Sequence, residues 1–145
     1  MRNILFLVVV SLFGFQSMAQ SARLNHIALH VVDLDKSTRF YRDLIGIDTI
    51  PEPFHDGKHT WFRVGESTQL HLILGAQTAV IPDKNTHLCF SVGSMNAFID
   101  RLNQAKVPFE NWVGEKGKIT LRVDGVQQVY FQDPDLHWVE INDAR

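Results

Sequence analysis

The feature that most limits what this chain can fold into is an internal repeat. The string THLCFSV at residues 86–92 restates NHIALHV at 25–31, an offset of 61 that carries His26 onto His87, and each copy runs into an amphipathic helical pattern. A second correspondence sets residues 61–66 and 69–73 against 130–135 and 138–142, an offset of 69 that carries His71 onto Glu140. Self-similarity of this kind marks one supersecondary unit used twice. The larger second offset implies about eight extra residues in the second unit, most easily placed around 114–118.

Each unit reads as β-α-β-β-β. The first has a strand over 24–32 and a helix capped by Asp33 or Asp35. Its apolar stripe is Phe40, Tyr41, Leu44 and Ile45, and Gly46 stands at the left-handed position that ends a helix. Strands over 47–50, 59–64 and 69–74 complete it. Residues 75–85 form a linker. The second unit opens with a strand over 87–92 and continues with a helix capped by Ser94 that buries Met95, Phe98, Ile99 and Leu102. Strands over 107–112, 119–123, 126–132 and 137–142 follow, the last two joined by the turn DPDL at 133–136. The modules thus span about 24–74 and 87–142 of a single domain, an α+β fold.

Strand parity sorts the polar residues onto one face, because side chains two apart point the same way. His26 stands opposite Ile27, Leu29 and Val31, and His71 opposite Leu70, Leu72 and Leu74. His87 stands opposite Leu88, Phe90 and Val92, and Glu140 opposite Val139 and Ile141. The aliphatic faces should carry the helices, which leaves His26, His71, His87 and Glu140 on the concave side of a curved sheet. Three imidazoles and a carboxylate suit one divalent cation of borderline softness. Zinc, nickel, manganese and iron are not distinguished by that donor set.

Composition excludes some roles. With 14 Lys+Arg against 16 Asp+Glu and a formal charge of -2, the chain has no basic surface for a phosphate backbone. Residues 1–19 read as a signal peptide: a positive n-region, an apolar run of about twelve residues too short for a membrane span, and a small-residue site ending at Ala19. The domain is then residues 20–145, secreted or periplasmic, with no membrane span after cleavage. Cys89 is the one cysteine. It has no partner for an internal disulfide, and its alternating apolar strand predicts a buried thiol.

The string NHIALHVVDLDKSTRFYRDLIGI at 25–47, His87 at the start of the second half and YFQDPDLHWVEI at 130–141 resemble the vicinal oxygen chelate superfamily. Its members include glyoxalase I, methylmalonyl-CoA epimerase, fosfomycin thiol transferases, extradiol dioxygenases and antibiotic-sequestering proteins. The resemblance implies a glyoxalase-like fold, two βαβββ modules forming a curved mixed-sheet cup, often with each site shared between the subunits of a homodimer. It places metal ligands at His26, His71, His87 and Glu140, with Glu140 also the catalytic base. It further implies substrate contacts at Tyr130 and, where glyoxalases have an arginine, at His30. Arg63 and Trp138 join these as candidate substrate-binding residues, Trp138 because it shares a face with Glu140.

Two positions depart from the pattern. Leu136 replaces the usual turn glycine, a substitution that costs about 1–2 kcal/mol if the backbone there is left-handed. Thr120 stands near where fosfomycin enzymes place a lysine. The activity expected is that of a metal-dependent lyase or isomerase of glyoxalase type, acting on a small molecule chelated through two adjacent oxygens. The alternatives are an extradiol-type dioxygenase and a non-catalytic binding protein of the bleomycin-resistance kind.

Overall fold

A computed structural model describes residues 22–78 and 83–145. The signal-peptide reading and part of the linker lie outside those residues. Strand β1 (His26–Val31) leads into helix α1 (Leu34–Arg39), which continues as a π-helical stretch over Phe40–Ile45. Asp33 caps α1 by accepting from the Lys36 amide, and Gly46 ends the π stretch at φ 88°, a left-handed conformation that glycine adopts without a Cβ clash. Strands β2 (Thr49–Ile50), β3 (His59–Val64) and β4 (Thr68–Leu74) complete the first module. The second has β5 (His87–Ser91), α2 (Met95–Gln104), β6 (Thr120–Leu121), β7 (Gln127–Gln132) and β8 (Trp138–Asn142).

Each module is a four-stranded mixed sheet, in the orders β1-β4-β3-β2 and β5-β8-β7-β6, with β1 parallel to β4 and β5 parallel to β8. The ladders reproduce the repeat. Ala28 pairs with His71 and Cys89 with Glu140; His26 pairs with Gln69 and His87 with Trp138.

The single curved sheet closing as a cup is not what forms. There are two separate sheets, and among the described residues no backbone ladder joins them. The reason lies in the strand order: β1 and β5 are edges, each paired on one side only, and the opposite edges, β2 and β6, are two residues long. The expected strand over 107–112 is also absent. Pro108 has no amide to give a ladder, and only Glu110 makes isolated bridges, to Lys116 and Tyr130.

What unites the modules is their apolar face. Val31, Tyr41, Leu70 and Leu72 of the first bury into the same cluster as Phe98, Leu102, Phe131 and Ile141 of the second, as the parity argument predicts. The turn at 133–136 fastens this cluster with charge. Asp135 accepts from the Val32 amide (2.7 Å) and the Ser37 hydroxyl (2.6 Å), and Asp133 from the Tyr41 hydroxyl (2.8 Å) and His137 Nδ1 (3.0 Å). Both carboxylates are buried, so the hydrogen bonds between the halves are charge-assisted in a medium that screens them little. Leu136 sits at φ 68°, left-handed as its glycine-like place requires.

Candidate functional site

The second module holds the half of the site with the more hydrogen bonds behind it. Glu140 is buried, and its carboxylate accepts from the Tyr130 hydroxyl (2.6 Å), Asn142 Nδ2 (2.9 Å) and the Cys89 thiol (3.3 Å). Burial pushes the carboxyl up, but these donors outweigh it and hold Glu140 below the usual carboxylate range. Gln128 Nε2 in turn donates to the Tyr130 oxygen (2.6 Å). The Tyr130 hydroxyl is pushed well above its ordinary range, first by burial and then by the carboxylate beside it.

His87 completes this half. Its Nδ1 lies 2.8 Å from the Lys84 carbonyl, which can only accept, so Nδ1 carries the proton. Nε2 then points at Glu140 Oε2, 3.3 Å away. In a neutral ring that is a lone pair facing a carboxylate oxygen, an arrangement that a cation between or beside them relieves. A backbone carbonyl on the far nitrogen is also the usual support of a metal-ligating histidine. The pair therefore fits a divalent ion.

The first module is arranged differently. The His26 and His71 rings stack at 4.3 Å with planes 10° apart, and Trp61 stacks on the other face of His71 at 4.0 Å and 1°. Ring-nitrogen lone pairs lie in the ring plane, so two offset parallel rings cannot both aim at one ion. His26 is exposed and must turn to join a shared site, while His71 is clamped. His71 Nε2 meets Gln69 Oε1 at 2.8 Å, and His26 Nδ1 meets Asn25 Oδ1 at 2.8 Å. Burial first, then the neighbouring His26 and His59, hold His71 below its ordinary range. That keeps it neutral, as a ligand must be.

The four predicted ligands thus stand as two pairs. Among the described residues, no group of three or more His, Cys, Asp or Glu side chains is close enough to hold an ion. The other candidates divide as well. Trp138 lies beside His87 in the ladder, and Tyr130 is bonded to Glu140. Both line a cavity of about 370 Å³, with Glu110, Lys116, Gln132 and Leu136. Arg63 is exposed in the row Arg63, Gln69, His26 across the first sheet. His30 is at the far end of β1, its ring against Gly75, away from His26.

Cys89 corrects an expectation. The residue is exposed rather than buried, because β5 is an edge strand. Burial of its sulfur, with the Glu140 charge beside it, still pushes the thiol up to about 12. Sequence reasoning passed over Asn142 and Gln128, although both share the Glu140 and Tyr130 face by period-two spacing. It also passed over Lys84, which no periodicity marks.

Duplicated βαβββ modules carrying matched polar pairs on equivalent ladder positions are the architecture of a vicinal oxygen chelate protein. The chain belongs to the Glyoxalase/Bleomycin resistance protein/Dioxygenase superfamily, whose model matches residues 23–141. It is similar to Glyoxylase I 4 of Arabidopsis thaliana, 27% identical over 125 residues, covering 81% of this chain and 68% of that one. It is also similar to the mitochondrial methylmalonyl-CoA epimerase of Mus musculus, 31% identical over 97 residues. That alignment covers 59% of this chain and 54% of the epimerase, so the chain spans about half the length of that relative. Among solved structures, Oxidase ChaP-H1 superposes with a TM-score of 0.70 at 29% identity, over 86% of this chain and 98% of that one.

Proposed function

We propose that the protein is an exported metal-dependent enzyme of the glyoxalase and epimerase kind, acting on a small substrate that presents two neighbouring oxygens. The observation that carries this reading is the His87–Glu140 pair, with Nε2 and Oε2 facing each other at 3.3 Å and every other polar atom of the pair already held. His87 and Glu140 would hold a divalent ion, with His26 and His71 as the complementary pair. The two pairs stand apart within one chain, which supports a homodimer in which a second copy supplies the missing half. The ion, when bound, polarises the two substrate oxygens as a Lewis acid.

The remaining roles belong to the chain's own side chains. Glu140 is ionised over the neutral range, so it can take a proton from a carbon beside those oxygens. Tyr130 holds Oε2 in place and returns a hydrogen bond to Glu140 as its charge changes. Trp138, Leu136 and the Tyr130 ring give the adjoining cavity an apolar wall that excludes water, and Gln132 and Lys116 offer polar contacts at its rim. Arg63 is the candidate for an anionic group on the substrate.

The test is element analysis of the full chain. About one divalent ion per subunit is expected in wild type, and none in His87→Ala or Glu140→Ala. Wild type that stays metal-free after reconstitution overturns the enzyme reading in favour of a binding protein. A second reading, oxidation rather than isomerisation, is supported by the likeness to Oxidase ChaP-H1 at 29% identity. Iron as the bound ion would select it; nickel or zinc would select the isomerase or lyase.

A further inference from the structure

We infer that Lys84 and Glu110 are positioning residues that form a strap fixing the His87 ring, so that the linker and the segment before β6 together aim a ligand. This rests on the metal reading of His87 and Glu140.

The ammonium of Lys84 is bonded to the Glu110 carboxylate, with the carbonyls of Asn111 and Trp112 each 3.3 Å away. It also lies 4.8 Å from the Trp138 ring centre and 5.6 Å from that of Tyr130. Only 18% of the Lys84 side chain and 22% of Glu110 is exposed. A lysine with one carboxylate, two carbonyls and two aromatic faces around it has no capacity left for a ligand. Its job is to hold its own backbone still.

That backbone matters because the Lys84 carbonyl takes the His87 Nδ1 proton at 2.8 Å. This bond sets both the tautomer and the direction of Nε2 toward Glu140. The other end of the strap is equally fixed. The Glu110 amide and carbonyl pair with those of Tyr130 at 2.9 and 2.8 Å, and Tyr130 bonds Glu140. A closed circuit therefore runs from Glu140 through Tyr130, Glu110, Lys84 and His87 back to Glu140.

The first module shows that the acid at 110 is not needed by the scaffold. Ile50 pairs with Trp61 there as Glu110 pairs with Tyr130 here, and Trp61 and Tyr130 are equivalent by the repeat. An apolar residue serves at that position where no strap is built, and His26 in that half takes its Nδ1 contact from the neighbouring Asn25 instead.

The experiment uses the metal-free full chain and two readouts. The first is the ¹⁵N and ¹H pattern of the His87 ring, which reports the Nδ1–H tautomer directly. The second is zinc affinity by competition with a chromophoric chelator. Lys84→Met should replace the single Nδ1–H form by a mixture and weaken zinc binding by about tenfold or more, the range typical of lost supporting contacts. Glu110→Gln, which keeps shape and an acceptor, should do the same to a smaller degree. Lys84→Arg should restore both readouts.

A wild-type ring pattern and affinity in folded Lys84→Met overturn the inference. Should Lys84→Met not fold, the same result in Glu110→Gln overturns it. A ring pattern that responds to Lys84→Met in a chain that binds no zinc supports the strap and removes the metal reading, so the two failures are distinguishable.

Discussion

The two modules share a chain path but not a way of holding their polar residues. In the second, His87 and Glu140 are each supported from behind, by a backbone carbonyl on one and by Tyr130, Asn142 and Cys89 on the other. In the first, His26 and His71 are stacked on each other and on Trp61, and their ring nitrogens meet only the side-chain amides of Asn25 and Gln69. A backbone carbonyl fixes where a ring points more firmly than a side-chain amide that can itself rotate, and stacking fixes only the ring plane. Duplication therefore supplied equivalent places, and later substitution braced one pair from the backbone and buried polar groups while the other keeps one clamped ring, His71, and one exposed ring, His26.

The sharpest way to break this comparison is to remove one ligand from each half. His87→Ala should lower zinc affinity by more than the about 10–100-fold that supporting contacts are worth, and His71→Ala should stay within that range. Calorimetric titration of the two metal-free variants measures both. Equal losses would mean that the halves contribute alike and that the directional argument is wrong.

The turns after β3 and β7 offer a second contrast. Asp135 and Glu66 are equivalent by the repeat, yet Asp135 is buried against Val32 and Ser37 while Glu66 is exposed. Asp135→Ala should cost about 1–3 kcal/mol, because it strands the buried Ser37 hydroxyl and removes the partner of the part-buried Val32 amide. Glu66→Ala should change stability by no more than about 0.5 kcal/mol. Urea unfolding of both variants gives the difference, and a small effect at Asp135 would mean that apolar packing alone joins the halves.

The mildest effect concerns pH. The Asp133 carboxylate bonded to His137 raises that ring above its ordinary value, against the lowering effect of burial. A group raised in the folded state contributes fully below its unfolded value of about 6.5 and loses the contribution as pH rises through the folded one. Wild-type Tm should therefore fall as pH rises from about 6.5 through the raised folded value, and His137→Gln should flatten that slope. A slope unchanged by the substitution would assign it to another group.

Much of this was legible in the chain itself. The offsets of 61 and 69 match the ladders, which pair Ala28 with His71 and Cys89 with Glu140, and period-two parity put Leu70, Leu72, Val139 and Ile141 in the core. What escaped depends on contacts between residues distant in sequence. Strand pattern carries no information about which edges meet, so the two sheets were expected as one. The Trp61–His71–His26 stack needs the register of three strands, and the strap from Lys84 to Glu110 joins residues 26 positions apart through side chains alone. Cys89 was expected buried from alternation, which cannot see that β5 lies at an edge.

The turn at 133–136 has one more consequence. Its two carboxylates grip the first module, Asp135 at Val32 and Ser37 and Asp133 at Tyr41, while Gln132, Leu136 and Asp133 itself line the cavity. Cohesion of the molecule and the shape of the cavity therefore meet at Asp133, whereas Gln132 and Leu136 take no part in the grip between the halves. Selection can reshape that hollow through Gln132 or Leu136 while the rivet that keeps the halves together stays untouched, but a change at Asp133 alters both.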